Sequence, residues 1–152
     1  MVHSRKKILD DTLRAGKIVL GICLGAQLLA EAFGGRAFTN KHPEIGWHEV
    51  SLNPEGKNSF LFKDVPDGFL TFHWHFDHFS LPAGCTCLAG SEPTVNQAFI
   101  HNESPAACLQ FHLITKELMK IRPDIPIILC LGYSVRISKE NAKQLGTEVV
   151  KS

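Results

Sequence analysis

The fold is decided by residues 17–27, which read KIVLGICLGAQ. Residues 17–22 are mostly apolar and rich in β-branched side chains, which predicts a short strand buried on both faces. Residues 24–33 follow directly with a helical pattern that stops at Gly34 and Gly35. A buried strand that runs straight into a helix predicts an α/β sheet.

Cys23 occupies the turn between this strand and this helix, with Gly21 and Gly25 two residues to either side. Glycines at these offsets let the backbone turn tightly, as in a nucleophile elbow. The helix N-terminus favours a thiolate at this sulfur, and the backbone N–H of Leu24 would face a developing oxyanion. The alternative interpretation is a buried, unreactive cysteine in an ordinary strand-to-helix turn.

A nucleophilic cysteine needs a base, and His112 is the candidate. It follows an apolar stretch, residues 107–111, that is predicted to be a strand. Ligands of open α/β sheets collect at the carboxyl ends of strands, so His112 would share an edge with Cys23 if the two strands are parallel neighbours. The alternative is a structural or solvated histidine at a strand end.

The rest of the chain alternates short apolar segments with turn signals. We predict a helix at 4–15 and strands at 36–39, 46–52, 69–75, 85–90 and 96–101. A helix at 114–121, a strand at 127–131 and a helix at 138–145 would follow. The expected fold is α/β, with a mixed, largely parallel sheet.

Composition limits the classes of function. The chain has 152 residues, of which 44% are hydrophobic and 20% charged, which argues against disorder. A net charge of +1 offers no electrostatic reason to bind nucleic acid or an anionic membrane. The longest apolar run, residues 18–26, is too short to cross a bilayer. No signal peptide is evident and the five cysteines are scattered, so we expect a cytoplasmic protein with reduced thiols.

Residues 21–27 and 109–112, which read GICLGAQ and LQFH, together resemble the class I glutamine amidotransferases, in particular the amidotransferase domain of GMP synthase. Residues 44–47, 72–77 and 96–99 agree with the same family and occur in its order. The resemblance covers about residues 5–113. It implies the fold of that family and an enzyme that releases ammonia from glutamine without a metal or other cofactor.

The resemblance also implies roles for individual residues. Cys23 would attack the side-chain amide of glutamine, and His112 would protonate the departing ammonia before water cleaves the thioester. Leu24, Gln27 and His75 would contribute to the substrate site, with Gln27 helping to bind glutamine. Members of the family usually pass ammonia to a synthetase partner or to a fused domain.

The chain departs from the family pattern at three places, of which Thr94, where the family usually has a cysteine, is a minor one. The family has a glutamate two residues after the histidine, where this chain has Ile114, and the nearest acid is Glu117. The opening strands and the Gly-rich oxyanion loop of the family have no counterpart upstream of Ser4. The predicted sheet is therefore incomplete on its N-terminal side, which favours self-association. The alternative function is a non-catalytic remnant or interaction module.

Residues from about 115 to 150 resemble instead the late part of a response-regulator receiver domain. The expected organisation is thus a partial amidotransferase-like domain at 1–113 followed by a receiver-like segment at 114–152. The alternative is convergence, because Pro-Asp-x-Pro before a β-branched run is a common entry to a buried strand.

A second cluster of polar residues lies at His73, His75, Asp77 and His78. On a strand, residues 73, 75 and 77 share one face, and two imidazoles with a carboxylate suit a divalent metal such as Zn²⁺. The resemblance explains the same residues as the wall of a pocket without metal, and we predict no metal. A metal-binding module remains the third functional alternative.

Overall fold

The structure is a computed structural model that describes residues 2–112, 127–130 and 148–150, with side chains described from residue 7 to residue 112. The predicted helices at 114–121 and 138–145 lie outside these residues. So do Ile114 and Glu117.

One helix begins the described chain, and a second helix follows the first strand. Helix α1 spans Val2–Arg14, strand β1 spans Val19–Cys23 and helix α2 spans Leu24–Ala32. The described part of the chain contains two further short helices, α3 at Pro54–Lys57 and a 3-10 turn at Phe60–Phe62. No helix in these ranges combines the length and the apolar character that crossing a membrane requires. The strand-to-helix transition predicted at Cys23 is therefore present.

The remaining strands complete one sheet. They are β2 (Ala37–Leu52), β3 (Gly68–Phe79), β4 (Cys85–Gly90), β5 (Ala98–His101), β6 (Ala106–Leu109), β7 (Ile127–Cys130) and β8 (Glu148–Val150). The described strands form an eight-stranded sheet in the order β3-β2-β4-β5-β6-β1-β7-β8.

The sheet is mixed, which confirms the predicted α/β class. β1 pairs in parallel with β6 on one side and with β7 on the other, and β7 pairs in parallel with β8. The pairings that join β3, β2, β4, β5 and β6 are antiparallel. Parallel pairing is confined to the half of the sheet that contains β6, β1, β7 and β8.

The strands predicted at 36–39 and 46–52 are one strand, β2. The intervening residues 40–45 belong to neither predicted strand, but the structure keeps them in β2, with a register shift between Thr39 and Glu44. β3 runs to Phe79, beyond its predicted end at residue 75. The two strands therefore make a long hairpin.

Two apolar clusters cover the two faces of the sheet. Leu20 and Ile22 of β1 belong to one cluster, and Val19 belongs to the other together with Ala26 and Leu29 of α2. This alternation follows from the period of two residues along a strand. Because β1 is buried on both faces, its carboxyl end at Cys23 is held in a fixed position above α2.

Candidate active site

Cys23 lies where β1 ends and α2 begins, and its backbone is strained. Its φ is 53° and its ψ is −109°, a conformation that residues with a side chain rarely adopt. Such a backbone costs about 1–3 kcal/mol and persists only where the surrounding structure enforces it. The Cys23 side chain is partly buried and does not cap α2. This is the geometry of a nucleophile elbow.

Gly21 makes the sharp turn geometrically feasible. A Cβ atom at this position would lie 2.5 Å from the carbonyl oxygen of Gly25 and 2.6 Å from Cδ1 of Leu29. Both atoms belong to α2, so only glycine lets the helix pack this closely on the strand. The glycine predicted from the motif spacing is therefore explained by a contact between β1 and the first turns of α2.

The N-terminus of α2 presents backbone donors beside Cys23. The first N–H groups of an α-helix have no partner within the helix, and Leu24 is the first residue of α2. These donors and the helix dipole attract negative charge. Leu24 therefore lies at the N-terminus of α2, directly after Cys23.

His112 is positioned by β6. Val19 to Ile22 of β1 pair in parallel register with Ala106 to Leu109 of β6, so both strands end at the same edge of the sheet. His112 follows three residues after Leu109, and its backbone N–H donates to the carbonyl oxygen of Phe72 over 3.1 Å. The condition on which the pairing of Cys23 with His112 depended, that their strands are parallel neighbours, is confirmed.

The environment of His112 favours its neutral form. Burial lowers the pKa of His112, and the nearby His73 acts in the same direction, whereas a contact with the backbone of Trp74 raises it. A neutral imidazole can accept a proton from a thiol.

Gln27 lies on α2 and is buried, with 7% of its surface exposed. Its side-chain Nε2 donates to the carbonyl oxygen of Asp77 over 3.1 Å. Gln110, two residues before His112, also directs its Nε2 toward that oxygen, at 3.4 Å. These two amides link α2 and the segment before His112 to the end of β3.

His75 belongs to a buried polar cluster beside this edge. Its ring lies 5.2 Å from that of His73, centroid to centroid, and its Nε2 is 3.7 Å from Oε2 of Glu44. His73 places Nδ1 3.3 Å from Oε1 of the same carboxylate, and all three side chains are buried. Sequence reasoning missed Glu44 as a member of this cluster, because only the β2–β3 register brings residue 44 opposite residue 75.

The carboxylate of Glu44 is held by further donors. The hydroxyl of Ser91 donates to Oε1 over 2.6 Å and Nε2 of Gln97 donates to Oε2 over 2.7 Å. Burial alone would raise the pKa of Glu44, but the contacts with His73 and Ser91 outweigh it and lower the pKa to about 2. Burial lowers the pKa of His75 to about 4, although the Glu44 carboxylate opposes that shift. At neutral pH the cluster holds an ionised carboxylate and a neutral His75.

The structure corrects the cluster predicted from strand alternation. Asp77 is exposed and accepts a hydrogen bond from the hydroxyl of Thr39 over 2.9 Å, so it does not join His73 and His75. The alternation breaks after residue 75, since Phe76 and Asp77 are both exposed while His78 and Phe79 are both buried. The carboxylate beside the two imidazoles is that of Glu44.

Comparison with known proteins gives the same family that the sequence motifs resemble. Residues 2–113 match the family described as "Glutamine amidotransferase class-I". The glutamine-hydrolysing GMP synthase subunit from Methanocaldococcus jannaschii is 34% identical over 112 residues, which cover 73% of this chain and 58% of that protein. The imidazole glycerol phosphate synthase subunit HisH of Helicobacter hepaticus is 35% identical over 100 aligned positions, covering 51% of this chain and 46% of that protein.

Solved structures agree with these sequence matches. A glutamine amidotransferase from Thermotoga maritima superimposes with a TM-score of 0.67 at 31% identity, over 80% of this chain and 54% of that one. A glutamine amidotransferase from Methylobacillus flagellatus gives a TM-score of 0.64 at 29% identity, over 80% of this chain and 50% of that one. The chain spans about half the length of the relatives that it matches.

Proposed function

The chain belongs to the class I glutamine amidotransferase family, and we propose that it hydrolyses the side-chain amide of glutamine through a thioester on Cys23. One observation carries the proposal. Cys23 has a strained elbow conformation at the end of β1, and the parallel neighbour β6 leads His112 to the same edge of the sheet.

The proposed reaction has two halves. His112 accepts the thiol proton of Cys23, and the thiolate attacks the amide carbon of the glutamine side chain to form a tetrahedral oxyanion. This intermediate collapses as the carbon–nitrogen bond breaks, and His112 returns the proton to the departing ammonia. Water, with one proton taken by His112, then attacks the thioester carbon, the carbon–sulfur bond breaks, and His112 returns the proton to the departing sulfur of Cys23. The products are glutamate and the regenerated thiol.

The remaining predicted residues support these steps. Leu24 offers its backbone N–H to the oxyanion from the first turn of α2, which is worth about 3 kcal/mol where such a donor is well placed. Gln27 acts beside the substrate while its amide ties α2 to the carbonyl oxygen of Asp77. His75 lies behind the site and near His112, whose charge affects its pKa, and we assign it to the wall of the pocket.

Ammonia release from glutamine tests the proposal. We expect the wild-type protein to produce glutamate and ammonia, and Cys23→Ala to lose that activity entirely, because no thioester can form. Cys85→Ser is the matched control, since Cys85 lies on β4 away from this edge, and it should keep full activity. Turnover that survives Cys23→Ala would eliminate Cys23 as the nucleophile.

The sequence supports a non-catalytic module as an alternative. The family pattern places a glutamate where this chain has Ile114, and loss of the group that orients the histidine reduces rates by orders of magnitude. In that case no ammonia forms, yet a glutamine-like alkylating reagent still modifies Cys23 selectively. Cys23 that reacts no faster than Cys85 with this reagent would argue against any formed glutamine pocket.

We further propose that an ammonia-accepting synthetase is the partner of this protein. The matched relatives are by name subunits of GMP synthase and imidazole glycerol phosphate synthase. Self-association and a cytoplasmic location stay predictions. Co-purification of the tagged protein with a synthetase, followed by a glutamine-dependent synthetase assay, tests the partner.

A further inference from the structure

Glu44, His73 and His75 form a closed polar cluster on the inner face of the β2–β3 hairpin, and we propose that they bind a divalent transition metal ion, with Zn²⁺ the best match. Each residue offers one ligand atom, and these atoms lie within 4.8 Å of one another. Two histidines and one glutamate are an established zinc ligand set, with water in the fourth position. The proposal replaces the sequence-based expectation that the site contains no metal.

The distances within the cluster fit a metal. Bonds of about 2.0–2.1 Å in a tetrahedron place neighbouring ligand atoms about 3.3 Å apart. Nδ1 of His73 lies 3.3 Å from Oε1 of Glu44, and Nε2 of His75 lies 3.7 Å from Oε2. Small rotations of these side chains would therefore bring one carboxylate oxygen and two ring nitrogens around a single ion.

The unmet hydrogen-bonding capacity of the two rings points the same way. All four ring nitrogens of His73 and His75 are buried, and none makes a hydrogen bond of good geometry within the described residues, although one nitrogen of each ring lies 3.3 Å or 3.7 Å from the Glu44 carboxylate. The two residues are 0% and 4% exposed. A buried polar atom left without a partner costs about 1–3 kcal/mol. A bound ion would satisfy one nitrogen of each ring with the group that imidazole ligates best.

The groups around Glu44 have the arrangement expected outside a metal ligand. Ser91 and Gln97 donate to the two oxygens of the carboxylate, at 2.6 Å and 2.7 Å. Ligating carboxylates are usually fixed by such donors, which leave a second lone pair on each oxygen for the ion.

The ion would have a structural role. It would join β2, which carries Glu44, to β3, which carries both histidines, at a position where the cluster also contacts residues 91 and 97. Phe72, next to His73, accepts the backbone N–H of His112. A metal in this cluster would therefore stabilise the hairpin on which His112 rests.

Metal titration of the wild-type protein tests the proposal directly. We expect the chelator-treated protein to bind about one equivalent of Zn²⁺ and to unfold at a higher temperature when it is added. Co²⁺ should give the visible absorption bands of a tetrahedral nitrogen–oxygen site. Binding far below one equivalent, or an unchanged unfolding temperature, would overturn the proposal.

Substitutions then locate the site. Glu44→Gln should abolish stoichiometric Zn²⁺ binding. Ser91→Ala, which removes a donor to the carboxylate and an acceptor for Nε2 of Gln97, should weaken binding by about 10–100-fold. His42→Asn, at an exposed position, and Cys85→Ser should bind Zn²⁺ like the wild type. If Glu44→Gln does not fold, Ser91→Ala decides, and wild-type affinity in it contradicts the proposal.

One further variant separates this proposal from the glutaminase proposal. Cys23→Ala should bind Zn²⁺ with unchanged stoichiometry, since Cys23 is not a proposed ligand. Loss of metal in Cys85→Ser or Cys23→Ala would place the ion on a cysteine and overturn the assignment to Glu44, His73 and His75.

Discussion

Among the described residues, only Cys23 and Asp64 combine a side chain with a positive φ, at 53° and 65°. Asp64 is explained locally, because aspartate tolerates the left-handed conformation. Cysteine has no such tolerance, so the strain at Cys23 is enforced by the junction of β1 and α2. A strained residue that packing has fixed is typical of a functional site.

Thiol reactivity follows from these local environments. Burial raises the pKa of Cys85 to about 11, raises the pKa of Cys87, and raises that of the fully buried Cys108 further. Near about pH 7.5 these three thiols are almost entirely protonated and should react slowly, since the thiolate is the nucleophile. Cys23, at the helix N-terminus, should react first with iodoacetamide.

Peptide mass spectrometry at several times of labelling measures this order. Raising the pH toward 11 should accelerate Cys85, because its thiolate forms only as the pH approaches its raised pKa. Cys108 should stay unmodified until the protein unfolds, because its surface is 0% exposed. Equal rates at Cys23 and Cys85 near neutral pH would contradict the prediction.

At the residue scale, local motifs predicted the position of Cys23 and the sheet edge of His112, but not Glu44. The glycine spacing around Cys23 is a property of consecutive residues, so the sequence contains it. Glu44 meets His73 and His75 only through antiparallel pairing with a strand about thirty residues away. No local pattern encodes that register.

At the element scale, a turn signal predicts that the chain changes direction after β2 but does not predict the helix that forms there. The Asn53-Pro54-Glu55-Gly56 sequence after β2 is typical of a turn, and the structure places helix α3 there. Asn53 caps the helix by accepting from the N–H of Gly56 over 2.8 Å, and its Nδ2 donates to the carbonyl oxygen of Cys87 over 2.8 Å. One side chain therefore holds α3 against β4.

Asn53→Ala should lower the free energy of unfolding by about 1–3 kcal/mol, because it removes the helix cap and a hydrogen bond to β4 together. Urea unfolding followed by circular dichroism measures the change. Asn58→Ala is the matched control. Its side chain donates only to the exposed carbonyl oxygen of Pro54, so the loss should stay within about 0.5 kcal/mol. A larger loss in Asn58→Ala than in Asn53→Ala would refute this account of α3.

At the scale of the whole molecule, the two segments expected from the sequence contribute to one sheet. β1 and β6 lie in the segment assigned to 1–113, and β7 and β8 lie in that assigned to 114–152. The boundary between them stays a prediction. The sequence predicts a strand at 127–131 but not its neighbour, since an apolar run fits many places in a sheet. The structure pairs it with the strand that ends at Cys23.

β7 is far from Cys23 in the sequence, but we expect its pairing with β1 to stabilise the position of the proposed nucleophile. Ile128 lies between Gly21 of β1 and Glu148 of β8 in the register of the sheet. Ile128→Pro removes a backbone donor from the middle of a paired strand, which a central strand does not tolerate. We expect a loss of about 3 kcal/mol or more in the free energy of unfolding, together with loss of the selective labelling of Cys23.

Ile128→Val provides the matched control, because it keeps the backbone N–H and the β-branched character and should cost at most about 1.5 kcal/mol. Thermal unfolding and Cys23 labelling are measured for both variants. If β7 did not pair with β1, proline at this position would leave the environment of Cys23 unchanged. Wild-type labelling of Cys23 in Ile128→Pro would therefore contradict this prediction, because it would mean that β6 and α2 alone hold Cys23 in its conformation.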